Sequence, residues 1–244
     1  MKFSRQLKPW VLIAASALLA ACGPFDDDDD GPAILPLVPM SDVRVLHASP
    51  DAPNVDVLVD DAVVLNDVPF KIASGFLQVD AGERNIKINV AGPDSTVIDV
   101  TADLAEGAAF TAIAVGNVAN IEALLLADSR TPASATETQV RVVHGAPAAP
   151  AVDVYVTAPD DDLAAATPTL AGVQFKDASD FLTIDAGEYR VRVTGAGSPD
   201  VIYDSGTLAF AATGVVTVVA VESSGTSPIS LVALTNDDAA PFAE

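Results

Sequence analysis

The chain has 244 residues, with 12 Lys and Arg against 34 Asp and Glu, a formal net charge of −22. A surface this acidic excludes nucleic acid as a partner, because binding it requires cations that displace phosphate counterions. Half of the residues are apolar, which excludes a disordered acidic chain, and the abundance of valine favours strands. A single cysteine excludes an internal disulfide framework.

Residues 1–21 read as a signal peptide. Lys2, Arg5 and Lys8 form a basic start, and Trp10–Ala21 is an apolar run too short for an ordinary membrane span. The run closes in Leu19-Ala20-Ala21-Cys22, which resembles the lipobox of bacterial lipoproteins. That resemblance implies diacylglyceryl transfer to Cys22, cleavage before it and N-acylation, palmitate being one such chain. Several acyl chains together anchor stably where one is marginal. Cleavage there removes three positive charges and no acid, taking the net charge from −22 to −25. Gly23 rather than Asp follows the cysteine, which resembles sorting to the outer membrane of a Gram-negative bacterium. The partner expected at this end is the lipid bilayer.

Residues 22–42 hold the lipidated cysteine and an acidic, proline-rich tether. Like charges and prolines keep such a segment extended, to at most about 65–70 Å for twenty residues. Asp26, Asp28, Asp30 and Gly31 match the opening of an EF-hand loop, but Leu37 stands where a bidentate Glu is required. No calcium site is expected there, and no cofactor or metal elsewhere.

The first strand pattern lies at 43–59, VRVLHASPDAPNVDVLV, and it returns at 140–156 as VRVVHGAPAAPAVDVYV. Each copy is an apolar strand with period two, a turn with two prolines, and a second strand. In the first unit, 43–128, further strands are expected at Val63–Leu65, Phe70–Val79, Asn85–Val90, Val97–Val100, Phe110–Val115 and Ile121–Leu126. Asp80-Ala81-Gly82-Glu83 reads as a hairpin turn rather than a glycosidase acid pair. Residues 129–139 are a polar linker, and 140–238 retrace the first unit. The D-A-G-E turn recurs at Asp185–Glu188, an offset of 105 against 97 for the opening motif, so eight residues are inserted within 157–170 as a surface loop. A polar tail occupies 239–244.

The motif V-R-V-x-H-x-x-P-x-A-P-x-V-D-V, with the later D-A-G-E, closely resembles the bacterial domain-of-unknown-function 4397 family. The resemblance covers both repeats and implies exported, often tandem and often lipidated proteins. It also implies an all-β fold: two tandem immunoglobulin-like or transthyretin-like antiparallel β-sandwiches. It brings no activity and no site to carry over.

Four residues are candidates for a ligand site or a structural motif. His47 and His144 hold matching places, where metal binding or proton transfer competes with a hydrogen bond to the proline turn; the latter is favoured, since no second histidine or cysteine accompanies either. Asp56 and Asp153 also match. They lie on the strand face opposite the valines, as do Arg44 and Arg141, so cross-strand ion pairs Arg44–Asp56 and Arg141–Asp153 are expected at an exposed face. Phe70, Phe76, Phe175 and Phe181 are expected as core anchors. No G-x-S-x-G, H-E-x-x-H, P-loop or C-x-x-C pattern occurs. The expectation is a non-catalytic envelope lipoprotein that meets an envelope protein or polysaccharide, or serves as scaffold. A glycan- or Ca2+-binding module is the alternative, and a hydrolase using the two histidines a third reading.

Overall fold

The computed structural model describes residues 38–92, 95–223, 225, 227–236 and 239–241. The signal peptide, Cys22 and the acidic run therefore lie outside the described residues. Residues 38–244 form one compact unit. Among the described residues, no helix is long and apolar enough to cross a membrane.

The first repeat contains β1 (Met40–Ala48), β2 (Val55–Val59), β3 (Ala62–Val68), β4 (Leu77–Asp80), β5 (Gly82–Val90), β6 (Ser95–Leu104), β7 (Ala109–Val115) and β8 (Glu122–Asp128). They form two sheets, β4-β1-β7-β8 and β3-β2-β5-β6. The second repeat contains β9 (Glu137–His144), β10 (Val152–Thr157), β11 (Leu170–Val173), β12 (Leu182–Asp185), β13 (Gly187–Gly195), β14 (Val201–Phe210), β15 (Val215–Glu222), β16 (Ile229–Thr235) and β17 (Ala239–Pro241). Its sheets are β12-β9-β15-β16-β17 and β11-β10-β13-β14. The result is two β-sandwiches, as the valine alternation predicts. Neighbouring strands are antiparallel except for β1 with β7 and β9 with β15.

Several local expectations change. The proline turn does not fold β1 back onto β2: it carries the chain from one sheet to the other. The predicted strand Phe70–Val79 is a strand only from Leu77. Its first half runs along the edge of β1, where Ser74 donates its amide to Val45 O and accepts the Val45 amide on Oγ, at 2.9 and 3.0 Å. Ser179 repeats both bonds with Val142. Asp80–Glu83 is not a hairpin, because β4 pairs with β1 while β5 pairs with β2 and β6. It is the corner between sheets, with Gly82 at φ +97° supplying a conformation that other residues resist. β9 begins at Glu137, inside the expected linker, and β17 adds a strand to β16 within the expected tail.

The largest difference concerns β1 and β9. Period two predicts one buried face, yet both faces are covered. Val43 and Val45 face the other sheet of their own sandwich. Leu46, Ala48, Ile113 and Val115 turn the opposite way and pack against Val143, Val219, Val221, Val232 and Leu234 of the second repeat. The two inner sheets thus share a third apolar interior, and all nine of these side chains are 0–2% exposed.

Candidate functional site

His47 is the last residue but one of β1, and its ring is buried. Its Nδ1 accepts the Ser49 amide at 3.3 Å, so Nε2 carries the proton and donates to Pro53 O at 3.1 Å. His144 does the same with the Ala146 amide at 3.4 Å and Pro150 O at 3.1 Å. Phe70 and Phe175 present a ring edge-on to each imidazole, with centroids 6.1 and 6.3 Å apart. Burial lowers the pKa of His47 from its ordinary value, opposed by the bond to Pro53. Both ring nitrogens of each histidine therefore hold the proline turn that sends the chain to the facing sheet.

Asp56 and Asp153 serve the next step of the fold. Opposite Asp56 the edge strand β3 carries two residues, Asn66 and Asp67, between the pairs Val57–Leu65 and Val55–Val68. This is a bulge. Asp67 takes φ +56°, and its amide donates to Asp56 Oδ1 at 2.7 Å, joined by Asn66 Nδ2 at 3.0 Å. In the second repeat Gly172 takes φ +65° and donates to Asp153 Oδ1 at 2.7 Å, while the Gly197 amide reaches Oδ2 at 2.8 Å. The V-D-V aspartate is thus the acceptor that fixes the edge-strand bulge.

The expected Arg44–Asp56 and Arg141–Asp153 pairs do not form, because each arginine and its aspartate stand on different sheets of the sandwich. The arginines do lie opposite the valines, but that face is the seam between sandwiches, and their partner is Asp128. Arg44 Nη2 meets Asp128 Oδ2 at 2.6 Å and Arg141 Nη2 meets Oδ1 at 3.2 Å. The three side chains are 2%, 5% and 0% exposed. The remaining donors cross the seam reciprocally. Arg44 Nη1 reaches Thr235 O of the second repeat at 2.6 Å, and Arg141 Nη1 reaches Ala127 O of the first at 2.7 Å. Arg44 Nε donates to Thr111 Oγ1 at 2.7 Å, and the Thr111 hydroxyl donates in turn to Asp128. Arg141 uses Thr217 Oγ1 in the same way, at 3.2 Å from Nε. Burial lowers both arginine pKa values, with the Asp128 charge opposing it.

Phe76 and Phe181, expected in the core, instead lie against the arginines, with the guanidinium carbons 4.7 and 4.6 Å from the ring centroids. Cation–π attraction of this kind strengthens where water is excluded. The cluster breaks the symmetry of the repeats at one point. Asn236 stands in the second repeat where Asp128 stands in the first, so among the described residues one carboxylate faces two guanidiniums.

The family model described as "Domain of unknown function (DUF4397)" matches residues 41–155 and 157–244. The chain belongs to the DUF4397 family. The two matched segments meet within β10 rather than in the 129–139 segment, so the first match contains one whole sandwich and the opening of the next. No curated protein matches the chain. Among solved structures it is similar to one described as "Alpha-glucan binding by a streptococcal virulence factor", at 11% identity and TM-score 0.26, covering 73% of this chain and 93% of that one. It is also similar to a leucine-rich repeat protein from Bacteroides thetaiotaomicron, at 12% identity and TM-score 0.20, covering 73% of this chain and 25% of that one. At these scores neither likeness carries an argument about fold or ligand.

Sequence reasoning brought His47, Asp56, His144 and Asp153 forward, and the structure gives each a backbone partner. It missed Asp128, which carries no motif. The signal available was Arg44 and Arg141 themselves: a charge recurring inside an apolar strand needs a counter-charge if that face is buried. Among the described residues no group of three or more His, Cys, Asp or Glu is placed to hold a metal.

Proposed function

We propose that this DUF4397 protein is a non-catalytic lipoprotein of the cell envelope, anchored through acylated Cys22 in the outer membrane of a Gram-negative bacterium. In this reading its paired sandwiches are held off the bilayer by the segment from Cys22 to the start of β1 at Met40, inside the expected 22–42 tether, and meet an envelope protein or a surface polysaccharide. One observation carries the non-catalytic part. The polar residues of the repeated V-R-V-x-H-x-x-P-x-A-P-x-V-D-V motif are engaged by the fold itself: four imidazole nitrogens by backbone groups, two carboxylates by backbone amides, and two guanidiniums by the seam. The anchoring part rests on Leu19-Ala20-Ala21-Cys22 and on the acidic spacer behind it.

The test is metabolic labelling with radioactive palmitate, with membrane fractionation, of the wild-type chain and Cys22→Ser in a Gram-negative host. Label and sedimentation with outer membranes are expected for the wild type and are lost in the variant. Equal labelling and sedimentation of Cys22→Ser would refute the anchor.

A further inference from the structure

The two sandwiches are built to one plan but are filled differently. In the second, fourteen buried apolar residues form a single continuous core, and the gap at the place equivalent to the cavity described below is about 20 Å³. In the first, the buried apolar residues fall into three groups joined only through the partly buried Leu65 and Leu125. Between them lies a cavity of about 190 Å³, lined by Val45, Val57, Ile86, Ile88, Ala112 and Ala123 among others.

The difference follows from the register. Val45 pairs with Ala112 as Val142 pairs with Val218, so Ala112 stands where the second repeat has valine. Ala114 pairs with Ala123 as Ala220 pairs with Leu231, so Ala123 stands where the second repeat has leucine. Leu125, Ile86 and Ile88 stand where the second repeat has Ala233, Val191 and Val193 and return volume, but at other positions of the lining. The fold therefore does not require the void, since the same chain closes it in its other half.

The cavity reaches the edge of the sandwich. Val100, Thr101 and Ala102 of edge strand β6 line it, as do Ala123 and Leu125 of edge strand β8, and Val100 is 39% exposed. While Glu122 on β8 is paired with Lys176 at 2.8 Å, exposed Asp99 and Asp103 on β6 put negative charge beside this rim. They repel anionic ligands such as carboxylates.

We propose that the first sandwich is a binding site for a neutral apolar group of about the size of benzene, an aromatic ring or the end of an alkyl chain, entering between β6 and β8. An engineered apolar cavity of about 150 Å³ stays dry and takes up benzene, so a larger one with an apolar lining is of sufficient size. The site is independent of Cys22 and of the anchoring proposed above.

The test uses the folded chain with benzene and with 1-hexanol as probes, read by thermal unfolding. At about ten times Kd, the wild-type Tm should rise by about 3–6 °C. Ala112→Val/Ala123→Leu puts the second repeat's side chains at two small positions of the lining, fills the cavity and should abolish the rise. A response to benzene alone assigns a ring site, and a response to hexanol alone an alkyl site. No rise with either probe overturns the proposal, as does an equal rise in the double variant. If the double variant fails to fold, ¹³C-alanine methyl spectra of the wild type decide. Benzene must shift Ala112, Ala114 and Ala123 and leave Ala220 and Ala233 in place; the reverse pattern overturns it.

Discussion

Replacing Asp128 by Asn keeps the shape of the side chain and removes its charge. The two guanidiniums it faces, 2.6 and 3.2 Å away, remain charged, because arginine does not give up its proton in a protein. With all three side chains at 5% exposure or less, water does not take the place of the lost carboxylate. Hydrogen bonds to a charged group contribute about 1.5–3 kcal/mol each; since the Asn amide nitrogen cannot accept, one of the two arginine bonds is lost and the other is weakened. Breaking a buried pair by removing one partner costs about 3–5 kcal/mol. The two routes agree, and for a chain of this size the loss corresponds to a fall in Tm of roughly 6–20 °C. The assay is calorimetry of the wild type, Asp128→Asn and Arg141→Gln. Removing Arg141 leaves one guanidinium balanced by one carboxylate, so Arg141→Gln should be the milder change. Lys87→Gln, which breaks the exposed pair with Asp61, should leave the midpoint in place. A Tm for Asp128→Asn within about 2 °C of wild type, or a larger loss in Arg141→Gln, would refute the argument that charge balance in the seam holds the sandwiches together.

Gly116 has φ +91°, and a Cβ there would stand 2.7 Å from Asn120 O, whereas Gly107 at φ +70° has open space around the same position. Gly116→Ala is expected to cost more than the roughly 1–3 kcal/mol of backbone strain that Gly107→Ala carries; equal losses in urea unfolding would show that the close approach is relieved without cost. His47 is expected to titrate below the ordinary histidine value of about 6.5, since burial favours its neutral form. The unfolded chain then takes up the proton first, so the stability due to His47 is complete above pH ~6.5 and is lost as the pH falls below it. An NMR titration that placed its midpoint at or above 6.5 would contradict the buried, doubly bonded ring.

The sandwich class was legible because Val55, Val57 and Val59, like Ile86, Ile88 and Val90, alternate over lengths that only strands use. What period two does not carry is which sheet a strand joins. The residues of D-A-G-E suit a hairpin and an inter-sheet corner equally well, and only the partners of Leu77 and Ile86 distinguish them. The seam was hidden for a related reason. A strand whose two faces are both covered reads VRVLHA, and its outward leucine and arginine look like ordinary surface residues until the second sandwich is placed against them. The histidines were legible, because a ring ending a strand before two prolines has backbone groups within reach on both sides. Asp128 was not, because its partners lie at positions 44 and 141 and no local pattern joins them.

The seam also has a mechanical consequence. Four sheets in series, each about 10 Å from the next, make a block about 30 Å deep that cannot hinge at its middle without exposing Leu46, Val143 and the arginines together. Tension applied to one end is therefore transmitted to the other through side chains rather than through the 129–136 connection, and the halves should resist stretching as one body with a single yield point.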